Sequence, residues 1–115
     1  MAVQTFAAIA VGSFELELGI YELSARNGLR RVDQVRHVIG LGRDTYSTGK
    51  ISYRLVDEMC RILEDFVQIM NTYKVKDYRA YATSAMREAK NNQIVLDQIR
   101  VRTGLDVHII SNSEQ

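Results

Sequence analysis

The stretch that decides the fold reads Ala82-Thr83-Ser84-Ala85-Met86-Arg87-Glu88-Ala89. Small and hydroxyl-bearing residues lead here from an apolar run, residues 78–82, into a segment that favours a helix. The first N–H groups of a helix have no partner within it and lie at the positive end of its dipole, so such a junction can hold a phosphate group. A second small-residue turn, Gly12-Ser13, follows the first apolar run, residues 6–11. Two strand-to-turn junctions of this kind predict phosphate binding.

Hydrophobic patterning predicts three strands at the start of the chain. Residues 6–11 form a continuous apolar run typical of a buried strand, and from Glu15 apolar and acidic residues alternate as in a half-covered strand. The Asn27-Gly28 pair predicts a hairpin turn into a third strand over residues 29–39. Residues 40–49 are rich in Gly, Thr and Ser and are expected to form a loop.

A long helix is expected next. Ser52 is the predicted N-cap of a stripe of apolar residues at three-and-four spacing, which predicts about five or six helical turns. The stripe is expected in the core, with a scaffolding or dimerisation surface as the alternative. Its members are Leu55, Met59, Ile62, Leu63, Phe66, Ile69, Met70 and Tyr73.

The last elements complete an α/β pattern. A strand over residues 78–82, a helix from Met86 or Glu88 that ends at Gly104, and a strand over 106–110 give the order β-β-β-α-β-α-β. Strands joined through helices run parallel by right-handed crossovers, so the sequence predicts a mixed five-stranded sheet with helices packed on it. The sequence stops directly after the last strand, and we expect further structure beyond residue 115.

Composition limits the function classes. With 46% apolar and 25% charged residues in 115, the chain has the profile of one soluble globular domain, without a membrane span. A net charge of +1 provides no global field for DNA or RNA. One basic cluster is interrupted by acids and interleaved with apolar residues, which favours a half-exposed strand over a nucleic-acid interface. It comprises Arg26, Arg30, Arg31, Arg36, His37 and Arg43.

The single cysteine and the two histidines offer no metal cluster. Cys60 cannot form an internal disulfide, which fits a reducing cytoplasm, and its place in a periodic helix favours burial over nucleophilic chemistry. His37 and His108 have no Cys or His neighbour at ligand spacing.

Three segments together resemble the exopolyphosphatase / guanosine pentaphosphate phosphatase (Ppx/GppA) family: residues 6–13, residues 82–91 and residues 109–114. The resemblance covers nearly the whole chain. It implies that residues 1–115 form a single N-terminal lobe of an actin-like, ribonuclease-H-like ATPase fold, with the C-terminal lobe missing. In that family the active site lies between two lobes, where Mg²⁺-assisted attack of water removes a terminal phosphoryl group from polyphosphate or guanosine pentaphosphate. The isolated lobe is therefore expected to be inactive.

The resemblance also implies which residues hold phosphate. Gly12 and Ser13 would contribute backbone N–H groups to a first phosphate loop. Thr83, Ser84 and Arg87 would form a second set, in which the hydroxyls either bind phosphate or cap the helix. Arg87 would present a planar fork to phosphate oxygens or else form a surface ion pair.

Two departures from the family pattern concern catalysis. Ala10 stands where the family carries an acid that helps to hold a divalent cation, and a methyl group cannot replace an oxygen ligand. Glu114-Gln115 stands where the family carries two glutamates, and Gln115 occupies the position of the usual base. An amide cannot accept a proton at neutral pH, which leaves Glu114 as the alternative base. The sequence thus predicts either a phosphohydrolase or a related module that binds phosphate-rich ligands as a regulator.

Overall fold

The computed structural model describes residues 3–111, and its first strands form an antiparallel meander. The strands are β1 (Gln4–Val11), β2 (Glu15–Ser24) and β3 (Gly28–Val38). Gly28 has a φ of +66°, the left-handed conformation that the predicted Asn-Gly turn requires. The three predicted strands are confirmed.

Two parallel strands extend the sheet on the other side of β1. β4 (Asp77–Ala82) pairs in parallel with β1, and β5 (His108–Ile109) pairs in parallel with β4. The strand order is β3-β2-β1-β4-β5, so the mixed five-stranded sheet is confirmed. Because β1, β4 and β5 run the same way, their carboxyl ends meet at one edge of the sheet.

The segment expected to be a loop contains a helix, α1 (Leu41–Thr48). The loop prediction was wrong because tertiary contacts override the weak helix propensity of its Gly, Ser and Thr residues. Leu41 is fully buried, and the buried Thr45 hydroxyl donates to the carbonyl of Ala85 at 3.0 Å. Gly49 ends the helix with a φ of +81°.

The long helix is α2 (Tyr53–Thr72), and it begins as predicted. The Ser52 hydroxyl accepts a hydrogen bond from the Leu55 amide at 3.3 Å. The apolar stripe, with Cys60, packs into the core against the buried side chains of β1 and β2. Its fully buried members are Met59, Cys60, Leu63 and Phe66. The core reading of this stripe is confirmed.

Two helices replace the single one expected after β4: α3 (Ser84–Glu88) and α4 (Asn92–Thr103). Ala89 between them is extended, with a ψ of 128°, and the Lys90 amide donates to the carbonyl of Gly49 at 2.8 Å. Gly104 ends α4 in the left-handed conformation, as predicted. Within residues 3–111 no helix combines the length and apolarity needed to cross a membrane.

Candidate functional site

The two junctions singled out in the sequence lie side by side. Because β1 and β4 are adjacent and parallel, the turns that follow Val11 and Ala82 emerge at the same edge of the sheet. The Thr83 amide donates to the carbonyl of Val11 at 3.1 Å. The Ser13 and Ser84 hydroxyl oxygens are 3.1 Å apart, although 71 residues separate them in sequence. The structure therefore brings the two predicted sets of residues into direct contact.

A third hydroxyl, from α1, joins this pair. The Tyr46 hydroxyl oxygen lies 2.8 Å from that of Ser84 and 3.3 Å from that of Ser13, and we call these three groups the hydroxyl triangle. Hydrogen bonds from Ser13 and Ser84 lower the pKa of the Tyr46 phenol. The α1 helix is fixed beside the β1–β2 turn by the Gly42 amide, which donates to the carbonyl of Ser13 at 2.7 Å. Sequence reasoning did not find Tyr46 because its helix was read as a loop.

Two backbone amides at these turns, those of Gly12 and Thr83, are engaged in hydrogen bonds to backbone carbonyls. Gly12, expected to offer its N–H to an anion, instead donates to the carbonyl of Glu15 at 2.9 Å and closes the β1–β2 turn. Thr83 is the N-cap residue of α3, but its side chain makes no capping hydrogen bond. The side-chain hydroxyls of Ser13 and Ser84 converge beside these turns.

Arg87 lies at the same edge, on α3. Its Nη1 donates to the carbonyl of Ile110 at 2.6 Å, and its Nε lies 3.8 Å from the Glu88 carboxylate. The side chain is 21% exposed, so the surface ion pair describes Arg87 only in part, and the bond to Ile110 joins α3 to the chain that leaves β5. Glu114 and Gln115, the predicted catalytic positions, lie outside the described residues.

The residues around Ala10 do not fit a magnesium site. Ala10 is exposed on β1, in register with Glu17 of β2 and Tyr81 of β4. The Glu17 carboxylate accepts from Gln34 Nε2 at 2.8 Å and lies 3.2 Å from Arg36 Nε. Across residues 3–111, no group of three His, Cys, Asp or Glu side chains is placed to hold a metal ion. The departure at Ala10 is thus not compensated by a carboxylate cluster in this part of the chain.

Comparison with known proteins decides the family, because the model of the Ppx/GppA phosphatase family matches residues 20–115. The chain belongs to the Ppx/GppA phosphatase family. It is 26% identical over 105 residues to exopolyphosphatase 1 of Mycobacterium tuberculosis, which covers 91% of this chain and 30% of that relative. This Ppx/GppA chain therefore spans about a third of the length of the curated relative.

Solved structures confirm the fold of this Ppx/GppA lobe. The crystal structure of the Aquifex aeolicus family member superposes with a TM-score of 0.93 at 25% identity, over 98% of this chain and 37% of that one. Thermus thermophilus RuvC gives a TM-score of 0.53 at 9% identity, covering 96% of this chain and 68% of that one, which is a likeness of fold alone. The lobe is an α/β domain of the actin-like, ribonuclease-H-like class, as the resemblance implied.

Proposed function

We propose that this chain is the phosphate-binding N-terminal lobe of an exopolyphosphatase-related phosphohydrolase. It would hold phosphate oxygens of polyphosphate or guanosine pentaphosphate at the carboxyl edge of β1 and β4. In the full-length protein, water would attack the terminal phosphorus and the anhydride bond to the rest of the chain would break. The observation that carries this proposal is the 3.1 Å contact between the Ser13 and Ser84 hydroxyls.

The chemistry of the edge suits an oxyanion. Each serine hydroxyl can donate one hydrogen bond, and hydrogen bonds to a charged acceptor are about twice as strong as those between neutral groups. Thr83 adds a hydroxyl that does not cap α3, and Arg87 adds a positive charge at the same edge. An anion seated here would be held by side chains from two turns that only the folded sheet brings together.

A second candidate function is phosphate-ligand binding without hydrolysis, as a regulatory module. The observation in its favour is Ala10, whose neighbouring carboxylate on Glu17 already pairs with Arg36 at 3.2 Å. Gln115 adds to it, because an amide in place of the family's base removes a contribution of roughly two to four powers of ten in rate. Binding and hydrolysis are therefore tested separately.

The proposal also concerns the partners of the chain and its location in the cell. Because the chain spans 30% of its curated relative, we propose a second lobe of the same protein as the opposite wall of the cleft. A homodimer would need a surface other than the α2 stripe, whose central residues Met59 and Phe66 are fully buried. The single, buried Cys60 supports a cytoplasmic location.

The test is calorimetric titration of sodium tripolyphosphate into the 115-residue chain and its Ser13→Ala and Ser84→Ala variants. The affinity of each serine variant is expected to fall by roughly tenfold or more, since one hydrogen bond to a charged group is lost. Ser47→Ala is the matched control, because within residues 3–111 the Ser47 hydroxyl donates only to carbonyls of its own helix, Arg43 at 2.6 Å and Asp44 at 3.5 Å. Equal affinity in all four proteins would place the anion elsewhere and reject the proposal. Guanosine pentaphosphate as a second titrant distinguishes the two ligands.

A further inference from the structure

The Tyr46 hydroxyl occupies a position that an anion oxygen would take between the two serines. An oxygen bridging two hydroxyl donors lies about 2.5–3.0 Å from each of them. The Tyr46 oxygen meets this range at Ser84 Oγ, 2.8 Å away, and lies slightly beyond it at Ser13 Oγ, 3.3 Å away. An oxyanion that accepts from both serines on this side would therefore collide with the phenol oxygen.

The three hydroxyls of the triangle can satisfy one another's donors. Each hydroxyl has one O–H donor and two acceptor lone pairs, so all three donors can find an acceptor within the triangle. A fully ionised phosphate oxygen can only accept. For both serines to donate to it at the place of the Tyr46 oxygen, the bonds that the serines donate within the triangle must break and the serine–tyrosine pairs must separate.

The surroundings of Tyr46 allow this movement. The residue is 57% exposed, so its side chain can turn further toward solvent without any loss of core packing. The α1 backbone stays in place when it does, because the Gly42 amide is bound to the carbonyl of Ser13 and the buried Thr45 hydroxyl to the carbonyl of Ala85.

We propose that the Tyr46 hydroxyl is a built-in substitute for the phosphate oxygen, and that a polyphosphate-type anion binds by displacing it from Ser13 and Ser84. This inference rests on the proposed function, since it concerns the same two serines. Tyr46 then sets the affinity of the lobe: its hydroxyl keeps the two serines paired when no ligand is present and competes with the ligand for them.

The experiment is titration of sodium tripolyphosphate into the 115-residue chain and its Tyr46→Phe variant, which keeps the aromatic ring and loses the competing oxygen. Binding is expected to tighten by about three- to tenfold, the equivalent of about one net hydrogen bond that no longer has to be broken. Tyr53→Phe is the matched control, because Tyr53 is 79% exposed and lies outside the triangle. Its affinity is expected to equal that of the unmodified chain.

A second measurement uses the unmodified protein labelled with ¹³C at the tyrosine ring carbons. Saturation with tripolyphosphate is expected to shift the Tyr46 signals and to leave those of Tyr53 in place. Binding that is lost in Ser13→Ala and Ser84→Ala but is unchanged or weaker in Tyr46→Phe would overturn the displacement model and leave the proposed function standing. Binding that is unchanged in Ser13→Ala and in Ser84→Ala would overturn both the displacement model and the proposed function. The absence of binding in the unmodified chain and in Tyr46→Phe would overturn both as well.

Discussion

The side-chain amide of Asn91 closes two hydrogen bonds on the backbone of Ile51. Its Oδ1 accepts from the Ile51 amide at 3.1 Å, and its Nδ2 donates to the Ile51 carbonyl at 2.9 Å. Ile51 lies in the connection from α1 to α2, and Asn91 lies in the connection from α3 to α4. We call these two hydrogen bonds the Asn91 clamp. It joins the segment that follows α1, the helix of Tyr46, to the segment that follows α3, the helix of Ser84.

Replacing Asn91 by alanine is expected to lower the free energy of unfolding by about 1–3 kcal/mol, because a buried backbone donor and acceptor lose their partners. Ile51 is only 2% exposed, so water cannot readily take over both bonds. Urea denaturation measures the change. Asn71→Ala, at an exposed position of α2, is the control and should differ from the unmodified protein by no more than about 0.5 kcal/mol. Equal losses in the two variants would show that the clamp contributes nothing specific.

Gly42 sets the distance between α1 and the β1–β2 turn. A Cβ at this position would lie 3.0 Å from Ser13 Cβ, 3.1 Å from the Tyr46 ring and 3.2 Å from the Phe14 ring. For Gly42→Ala we expect a net loss of stability of up to about 2 kcal/mol, since overpacking costs about 1–3 kcal/mol and the better helix former returns about 1 kcal/mol.

Thermal and urea unfolding of Gly42→Ala, compared with Gly40→Ala, tests this expectation. A Cβ on Gly40 would meet only Arg43 Cβ, at 4.0 Å, so that variant introduces no close contact. A Gly42→Ala protein as stable as Gly40→Ala would mean that α1 does not rest on the turn as closely as described.

Asp33 makes the free energy of unfolding depend on pH in the acid range. The Tyr73 hydroxyl donates to its Oδ2 at 2.7 Å and the Gln34 amide to its Oδ1 at 2.8 Å, and these bonds lower the pKa of Asp33 below its usual 3.8. A lowered folded-state pKa stabilises the protein above the unfolded-state value, and this contribution disappears as the pH falls through the folded-state value.

The unmodified protein should therefore exceed Asp33→Asn in free energy of unfolding at pH 7, and the difference should shrink below pH 3.8. Tyr73→Phe removes the largest cause of the shift and should reduce the same pH dependence. A difference between the Asp33 proteins that stays constant from pH 7 to pH 2.5 would contradict the assignment.

Restoring the family's acids separates an enzyme from a binder. In the full-length protein, Ala10→Asp together with Gln115→Glu is expected to raise polyphosphate hydrolysis by up to roughly two to four powers of ten, the usual worth of a positioned general base. The affinity for tripolyphosphate should stay level, because Ser13 and Ser84 are unchanged. Phosphate release and calorimetric binding are measured on the same preparations. High basal hydrolysis with no increase in the double variant would show that other residues hold the cation and activate the water. The 115-residue chain alone is expected to release no phosphate.

Much of the fold could be predicted from single residues with local effects. Ser52 caps α2 through its own hydroxyl, and Gly28 and Gly104 adopt the left-handed conformations that their turn and helix end require. Each of these features depends on neighbours within a few positions, which a sequence displays directly. The two turns that carry Ser13 and Ser84 were also predicted, whereas their direct contact follows from the adjacency of β1 and β4, which the structure provides.

What the sequence did not reveal depends on distant contacts. The helix α1 forms although its Gly, Ser and Thr residues are weak helix formers, because Thr45 and Gly42 are held by Ala85 and Ser13. Tyr46 enters the site only through that helix. The break at Ala89 accompanies the Lys90 amide bond to Gly49, and Asn91, the N-cap residue of α4, follows it.

The central place of β1 gives the lobe an order of assembly. Val11 pairs with Leu16 across a short turn on one side and with Ala82, far along the chain, on the other. Since joining distant residues costs more chain entropy, we expect the meander to form first and β4 to dock on it afterwards, followed by β5. A ligand that needs both serines would then bind only after β4 has docked and would slow the loss of that strand. Hydrogen exchange of the β4 amides, with and without tripolyphosphate, would reveal this protection, and equal exchange rates under saturating ligand would contradict it.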